Sequence, residues 1–125
     1  MKNLANQPNN KNCECVFCKI INGKLPCKKV YEDDDVLAFL DIANDHDNHT
    51  LVVPKNHHEN ILQTPQSVLS KMLKATNKIV SSYISSGYDG ANIINNCGAA
   101  AGAQIDHVHF HIIPRKTGDN NKITI

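Results

Sequence analysis

The sequence predicts an α+β domain: one antiparallel sheet of about five strands, one long helix packed on a face of it, and a short helix near the N-terminus. Three observations lead there. Apolar residues recur at helical spacing over 65–86. Several short apolar segments are separated by connections too brief for parallel crossovers. At 125 residues the chain is one domain with a single modest core.

Taken in order, residues 1–12 are polar and Asn-rich and lack the apolar core of a signal peptide. They read as a disordered arm ahead of a domain spanning 13–125. Cys15 to Ile21 suits a short helix that Gly23 stops. Lys28 to Glu32 reads as a strand, Asp33-Asp34-Asp35 as a solvated turn, and Val36 to Asp41 as a second strand. Residues 44–48 form a polar loop. His49 to Pro54 is almost continuously apolar and is expected at the centre of the sheet. Thr64-Pro65 offers a helix cap followed by proline at the first helical position. Val68, Leu69, Met72, Leu73, Thr76, Ile79, Val80, Tyr83 and Ile84 then mark one helical stripe, and Gly87 ends it. Such a stripe is core. Ala91 to Asn95 and Asp106 to Ile113 complete the sheet, joined by a Gly/Ala loop.

The formal net charge is +1, so no strong field favours nucleic acid or a membrane surface. No apolar run approaches the roughly 18 residues of a membrane span. The five cysteines make an odd count, and Cys13, Cys15 and Cys18 are too close together for an ordinary disulfide framework. A reduced, cytoplasmic setting follows, with thiols free or metal-bound.

The chemistry concentrates in His107-Val108-His109-Phe110-His111-Ile112-Ile113. On a strand, side chains alternate between faces, so the three histidines share one face while Val108, Phe110 and Ile112 anchor the other. Neutral imidazoles so spaced supply a nucleophile, hydrogen-bond donors and a metal ligand side by side. His109 is the expected nucleophile: with Nδ1–H held by a carbonyl, Nε2 is left free to attack phosphorus. Upstream, Asn96 to Gln104 contains Gly98, Gly102 and four alanines, small residues that let backbone N–H groups approach a phosphate.

These residues resemble the histidine-triad (HIT) family of nucleotide hydrolases and transferases, most closely its Hint-like and bacterial members. The family signature, three histidines each followed by apolar residues, is matched throughout 107–113. The similarity extends through His49-Thr50-Leu51-Val52-Val53-Pro54-Lys55, through Val36-Leu37-Ala38-Phe39-Leu40-Asp41-Ile42, and to Val16-Phe17-Cys18-Lys19-Ile20-Ile21. It implies a HIT-like fold and a catalytic set of His107, His109 and His111. It also implies a nucleotide site of Phe17, Ile20, Phe39, Asp41, Ile42, Asn96, Gly102, Ala103 and Gln104 with His109 and His111. Asp41 would accept both ribose hydroxyls, the apolar four would form the base slot, and His49 would stand behind the triad. Asn96 and the backbone around Gly102 to Gln104 would stabilise charge on the phosphate. Attack on the α-phosphorus would give a nucleotidyl-histidine, with His111 hydrogen-bonding the phosphoryl oxygens or the leaving group.

The implied activity is hydrolysis of purine nucleoside phosphoramidates or adenylylated small molecules, with no cofactor required for chemistry. Hydrolysis of dinucleoside polyphosphates, or a non-catalytic zinc-stabilised nucleotide-binding module, is the alternative. Many relatives carry Gln directly after the second loop glycine, where Ala103 stands here. The resemblance further implies a homodimer, for which Met72, Leu73, Ile79, Val80 and Tyr83 offer apolar helix surface. The CxxC at Cys15 and Cys18 is by itself a redox pair, a zinc half-site or two free thiols. Bacterial relatives and galactose phosphate uridylyltransferases pair it with two histidines around a structural zinc, which points to Cys15, Cys18, His49 and His107. Cys13 is a competing ligand, Cys27 and Cys97 read as ordinary thiols, and His46, His57 and His58 read as surface histidines.

Overall fold

A computed structural model describes residues 13–42 and 46–123. The predicted N-terminal arm lies outside them. The elements are α1 (Val16–Ile21), β1 (Lys29–Glu32), β2 (Val36–Leu40), β3 (Thr50–Pro54), α2 (Gln66–Ser85), β4 (Gly90–Ile94) and β5 (Phe110–Arg115). Single 3₁₀ turns cover Ile61–Gln63 and Ala99–Ala101. The five strands form one fully antiparallel sheet in the order β1-β2-β3-β5-β4. The predicted fold class is the observed one, with β3 in the centre and buried along its whole length.

Alternation along the strands divides the core in two. Val36 and Ala38 of β2, Val52 of β3, and Phe110 and Ile112 of β5 face α2, where Met72, Ala75 and Ile79 cover them together with Val108. Leu37, Phe39, Leu51 and Val53 face the other way and meet Phe17 of α1. The long helix therefore covers one face of the sheet, and the opposite face is left to α1 and the site.

Helix ends follow local chemistry. Cys15 caps α1, its Sγ accepting from the Cys18 N–H at 3.3 Å. Gly23 and Gly87, at φ +78° and +115°, adopt the left-handed backbone that ends each helix. Thr64 does not cap α2 as its position suggested. Its hydroxyl donates to the Asn60 carbonyl at 2.7 Å, and Pro65 occupies the cap position with no side-chain hydrogen bond. In the acidic turn, Asp33 Oδ1 accepts from the N–H groups of Asp35 and Val36, both at 2.8 Å, so one carboxylate closes the β1–β2 turn.

Two expectations need correction. The last strand begins at Phe110, so His107 and His109 precede it. The Val108 N–H donates to the His58 carbonyl at 2.7 Å rather than to a neighbouring strand. Of the apolar helix residues expected to serve a partner, Met72 and Ile79 are buried within this chain. On the helix Leu73 and Ile84 are exposed, and so is Ile93 on edge strand β4.

Candidate active site and metal cluster

β2, β3 and the segment entering β5 bring the conspicuous polar residues together on the α1 side of the sheet. Pairing of Leu51 with His111 sets the register. It places His49, just before β3, beside His111, whose Nδ1 lies 2.9 Å from His49 Nε2. The Asp41 N–H donates to the His49 carbonyl at 2.8 Å, which ties the end of β2 to the start of β3. Asp41 Oδ2 then lies 4.0 Å from His49 Nδ1.

His109 is held through one ring nitrogen and its own backbone. Its Nδ1 lies 2.7 Å from the His107 carbonyl oxygen, so Nδ1 carries the hydrogen and Nε2 keeps its lone pair. The Asn95 side-chain amide donates to the His109 carbonyl at 3.0 Å and holds the backbone. The Phe17 ring meets His109 edge-on at 5.0 Å, and His109 meets His111 at 4.9 Å. Burial lowers the pKa of His109, partly offset by the His107 carbonyl. Burial likewise holds His111 down at about 3, with His109 and His49 adding to the effect. Both rings are therefore neutral near pH 7.

A cavity of about 880 Å³ opens beside them. Its lining includes Phe17, Ile20, Phe39, Asp41, Ile42, Asn96, Gly102, Gln104, His109 and His111, ten of the eleven residues expected at a nucleotide site. The eleventh, Ala103, lies on a small adjoining cavity with Asn95, Asn96, His107 and His109. The Gly/Ala loop is tighter than expected. Gly98 and Gly102 are left-handed at φ +92° and +96°, and the N–H groups of Gly102 and Ala103 donate to the carbonyls of Ala99 and Gly98. Those two backbone donors serve the loop's own turn, while the side chains of Asn96 and Gln104 line the large cavity.

The metal-ligand expectation is corrected. His49 faces His111, and His57 takes the place assigned to it. The donor atoms of Cys13, Cys15, Cys18 and His57 lie within 4.8 Å of one another. His57 Nδ1 lies 3.3, 3.6 and 3.4 Å from the three sulfurs. His107 Nδ1 reaches the same cluster, 3.4 Å from Cys15 Sγ and 3.6 Å from Cys18 Sγ. Zinc bonds of about 2.0–2.3 Å in a tetrahedron separate sulfur and nitrogen ligands by about 3.5 Å. The distances and the soft donor set both fit zinc, with five donors available for four places. His107 Nε2 lies 2.9 Å from the Pro54 carbonyl oxygen, so it carries the hydrogen and Nδ1 turns its lone pair to the sulfurs. Burial raises the thiol pKa of Cys18, adjacent thiols raise it further, and a bound cation would favour the thiolate. His57 was missed because it looked like loop surface. The available signal was its place in an adjacent histidine pair just past the end of a central strand.

The HIT domain family model matches residues 22–118, and the chain belongs to the HIT family. It is 51% identical over 109 residues to an uncharacterised HIT-like protein of Methanocaldococcus jannaschii, covering 87% of this chain and 84% of that one. It is 39% identical over 101 residues to an adenosine 5′-monophosphoramidase of Schizosaccharomyces pombe, covering 81% and 74%. The structure superposes on a zinc-bound histidine triad family protein from Mycobacterium smegmatis with TM-score 0.84 at 34% identity, covering 91% and 82%. No helix of the described residues is long and apolar enough to cross a membrane.

Proposed function

We propose that this protein hydrolyses purine nucleoside phosphoramidates or adenylylated small molecules at the α-phosphorus, through a nucleotidyl-His109 intermediate. The carrying observation is the 2.7 Å contact between His109 Nδ1 and the His107 carbonyl, at the wall of a cavity that also presents Asp41. A neutral imidazole with its far nitrogen bare is a phosphorus nucleophile at neutral pH. His109 Nε2 forms the bond to phosphorus as the bond to the leaving group breaks, and water then displaces His109. Asp41 accepts the ribose hydroxyls, Phe17, Ile20, Phe39 and Ile42 receive the base, and Asn96 and Gln104 reach the phosphate. His111 hydrogen-bonds the leaving group. The S. pombe relative's phosphoramidase activity supports this reading.

The chemistry asks nothing of a metal. Zinc at the cluster would be structural, held by Cys15, Cys18 and His57 with Cys13 or His107 in the fourth place, since a filled tetrahedron leaves no position for water. A homodimer in the cytoplasm completes the proposal, with Leu73, Ile84 and Ile93 as its apolar contacts.

The test is incubation with adenosine phosphoramidate and with diadenosine tetraphosphate, wild type beside His109→Ala. Turnover of the first, lost in the variant, supports the proposal. Turnover of the second alone would favour polyphosphate hydrolysis. Nucleotide binding without turnover of either would leave a binding module.

A further inference from the structure

His49 carries an unusual feature for a residue only 1% exposed: among the described residues its buried Nδ1 has no hydrogen-bond partner. Buried polar nitrogens are normally satisfied, and an exception asks for a reason. The Asp41 carboxylate lies 4.0 Å from it. His46 and His109 also act on His49, and His111 contacts it directly. Burial lowers the pKa of His49, as it does that of His111, so both rings are neutral near pH 7.

Two neutral imidazoles 2.9 Å apart share one hydrogen between them, and only two arrangements exist. In one, His49 Nε2–H donates to His111, His49 Nδ1 points a lone pair at the Asp41 carboxylate, and His111 Nε2–H points into the cavity. In the other, His49 Nδ1–H faces the carboxylate, His111 Nδ1–H donates to His49, and His111 Nε2 is bare. The first opposes a lone pair to an anion in a buried setting, and the second opposes an N–H dipole to it.

We propose that Asp41 is a positioning residue for the triad: acting through His49, its carboxylate fixes the tautomer of His111 and presents His111 Nε2 to the cavity as a lone pair. This rests on the cavity's being the active site, and it adds a role for Asp41 distinct from gripping ribose. His111 is then an acceptor at rest. In the first step the substrate's amine nitrogen is already protonated: its bond to phosphorus breaks with the electron pair going to nitrogen, a neutral amine leaves, and one of its N–H groups donates a hydrogen bond to His111 Nε2. In the second step water forms a bond to phosphorus, and the bond from phosphorus to His109 Nε2 breaks with its electron pair returning to nitrogen. The water proton passes to His111 Nε2. The Asp41 carboxylate balances the positive charge that the His111–His49 pair then carries.

The experiment is ¹⁵N NMR of histidine-labelled protein without substrate near pH 7, with the His111 signals assigned by their loss in His111→Asn. The expected wild-type result is a bare His111 Nε2 and a protonated Nδ1. Asp41→Asn and Asp41→Leu should both move His111 Nε2 toward the protonated form. A protonated His111 Nε2 in wild type overturns the proposal, and so does one unchanged tautomer in all three proteins. A kinetic arm uses a phosphoramidate whose sugar lacks the 2′ and 3′ hydroxyls. Asp41→Asn should still lower its kcat by about tenfold or more, whereas a residue that only grips ribose would leave it at the wild-type value. If no phosphoramidate is turned over at all, the activity reading fails while the NMR result still decides the tautomer.

Discussion

Acid should unfold this protein by a route that its buried histidines define. His111 is 8% exposed, and burial holds its pKa at about 3 against an ordinary value of 6.5. The folded state therefore binds fewer protons than the unfolded chain between those values, so stability falls as pH drops. The contribution is complete above the unfolded pKa, declines below it, and levels off under the folded pKa. Between about pH 7 and about pH 5 the loss from His111 is about 2 kcal/mol, since the unfolded imidazole becomes protonated while the folded one does not. That loss is a sizeable part of a typical domain stability of about 5–15 kcal/mol. The assay is urea denaturation at both pH values for wild type and His111→Asn, which keeps an amide beside His49. With m of about 1–3 kcal/mol/M, the wild-type midpoint should fall between those pH values by roughly 1 M or more, and the variant's by distinctly less. Equal falls in the two proteins would show that His111 is not held neutral by the fold, and the reasoning would fail.

Three further outcomes follow from the same geometry. His109→Ala should abolish turnover while nucleotide binding, measured by calorimetry, largely persists, because the cavity lining is otherwise intact. Phe17, 4% exposed and edge-on to Phe39, His107 and His109, should lose about 3–5 kcal/mol of stability on replacement by Ala, read from denaturant melts. Protein purified without added zinc should contain metal and should lose thermal stability on chelation, and Cys15→Ser should do the same while Cys27→Ser should not.

The sequence reading reached far where one local pattern determines one local outcome. Alternation separated Phe110 and Ile112 from His109 and His111, and the helical spacing in 65–86 placed Met72, Thr76 and Ile79 on one buried stripe. The His109 tautomer was also legible, because its carbonyl partner is only two residues away. The metal set was not. Its members come from α1, the turn after β3 and the approach to β5, and sequence spacing is silent on which end of β3 meets which histidine. Register decides that. His111 lies opposite Leu51, so His107, four residues earlier, belongs to the Pro54 end, roughly 13 Å along the sheet at 3.3 Å per residue. His49 stands at one end of β3 and His57 just beyond the other, and only His57 is within reach of His107 and the cysteines. The same kind of blindness hid the orphaned Nδ1 of His49, which exists only once the ends of β2 and β3 are brought together.

His107 links these two halves of the site, and its three polar backbone and ring atoms explain how. Its Nε2–H donates to the Pro54 carbonyl, its Nδ1 faces Cys15 and Cys18, and its own carbonyl accepts from His109 Nδ1. Each contact constrains the next. The Pro54 bond chooses the tautomer that points a lone pair at the thiols. Anchoring the ring at both nitrogens fixes the backbone before β5, where ladder hydrogen bonds have not yet begun. That fixed backbone aims the carbonyl that keeps the hydrogen of His109 on Nδ1 and its lone pair on Nε2. His107 is absent from the lining of the large cavity, yet its carbonyl determines which nitrogen of His109 keeps a lone pair. The thiols of Cys15 and Cys18 thus anchor, through His107, the segment that carries this carbonyl.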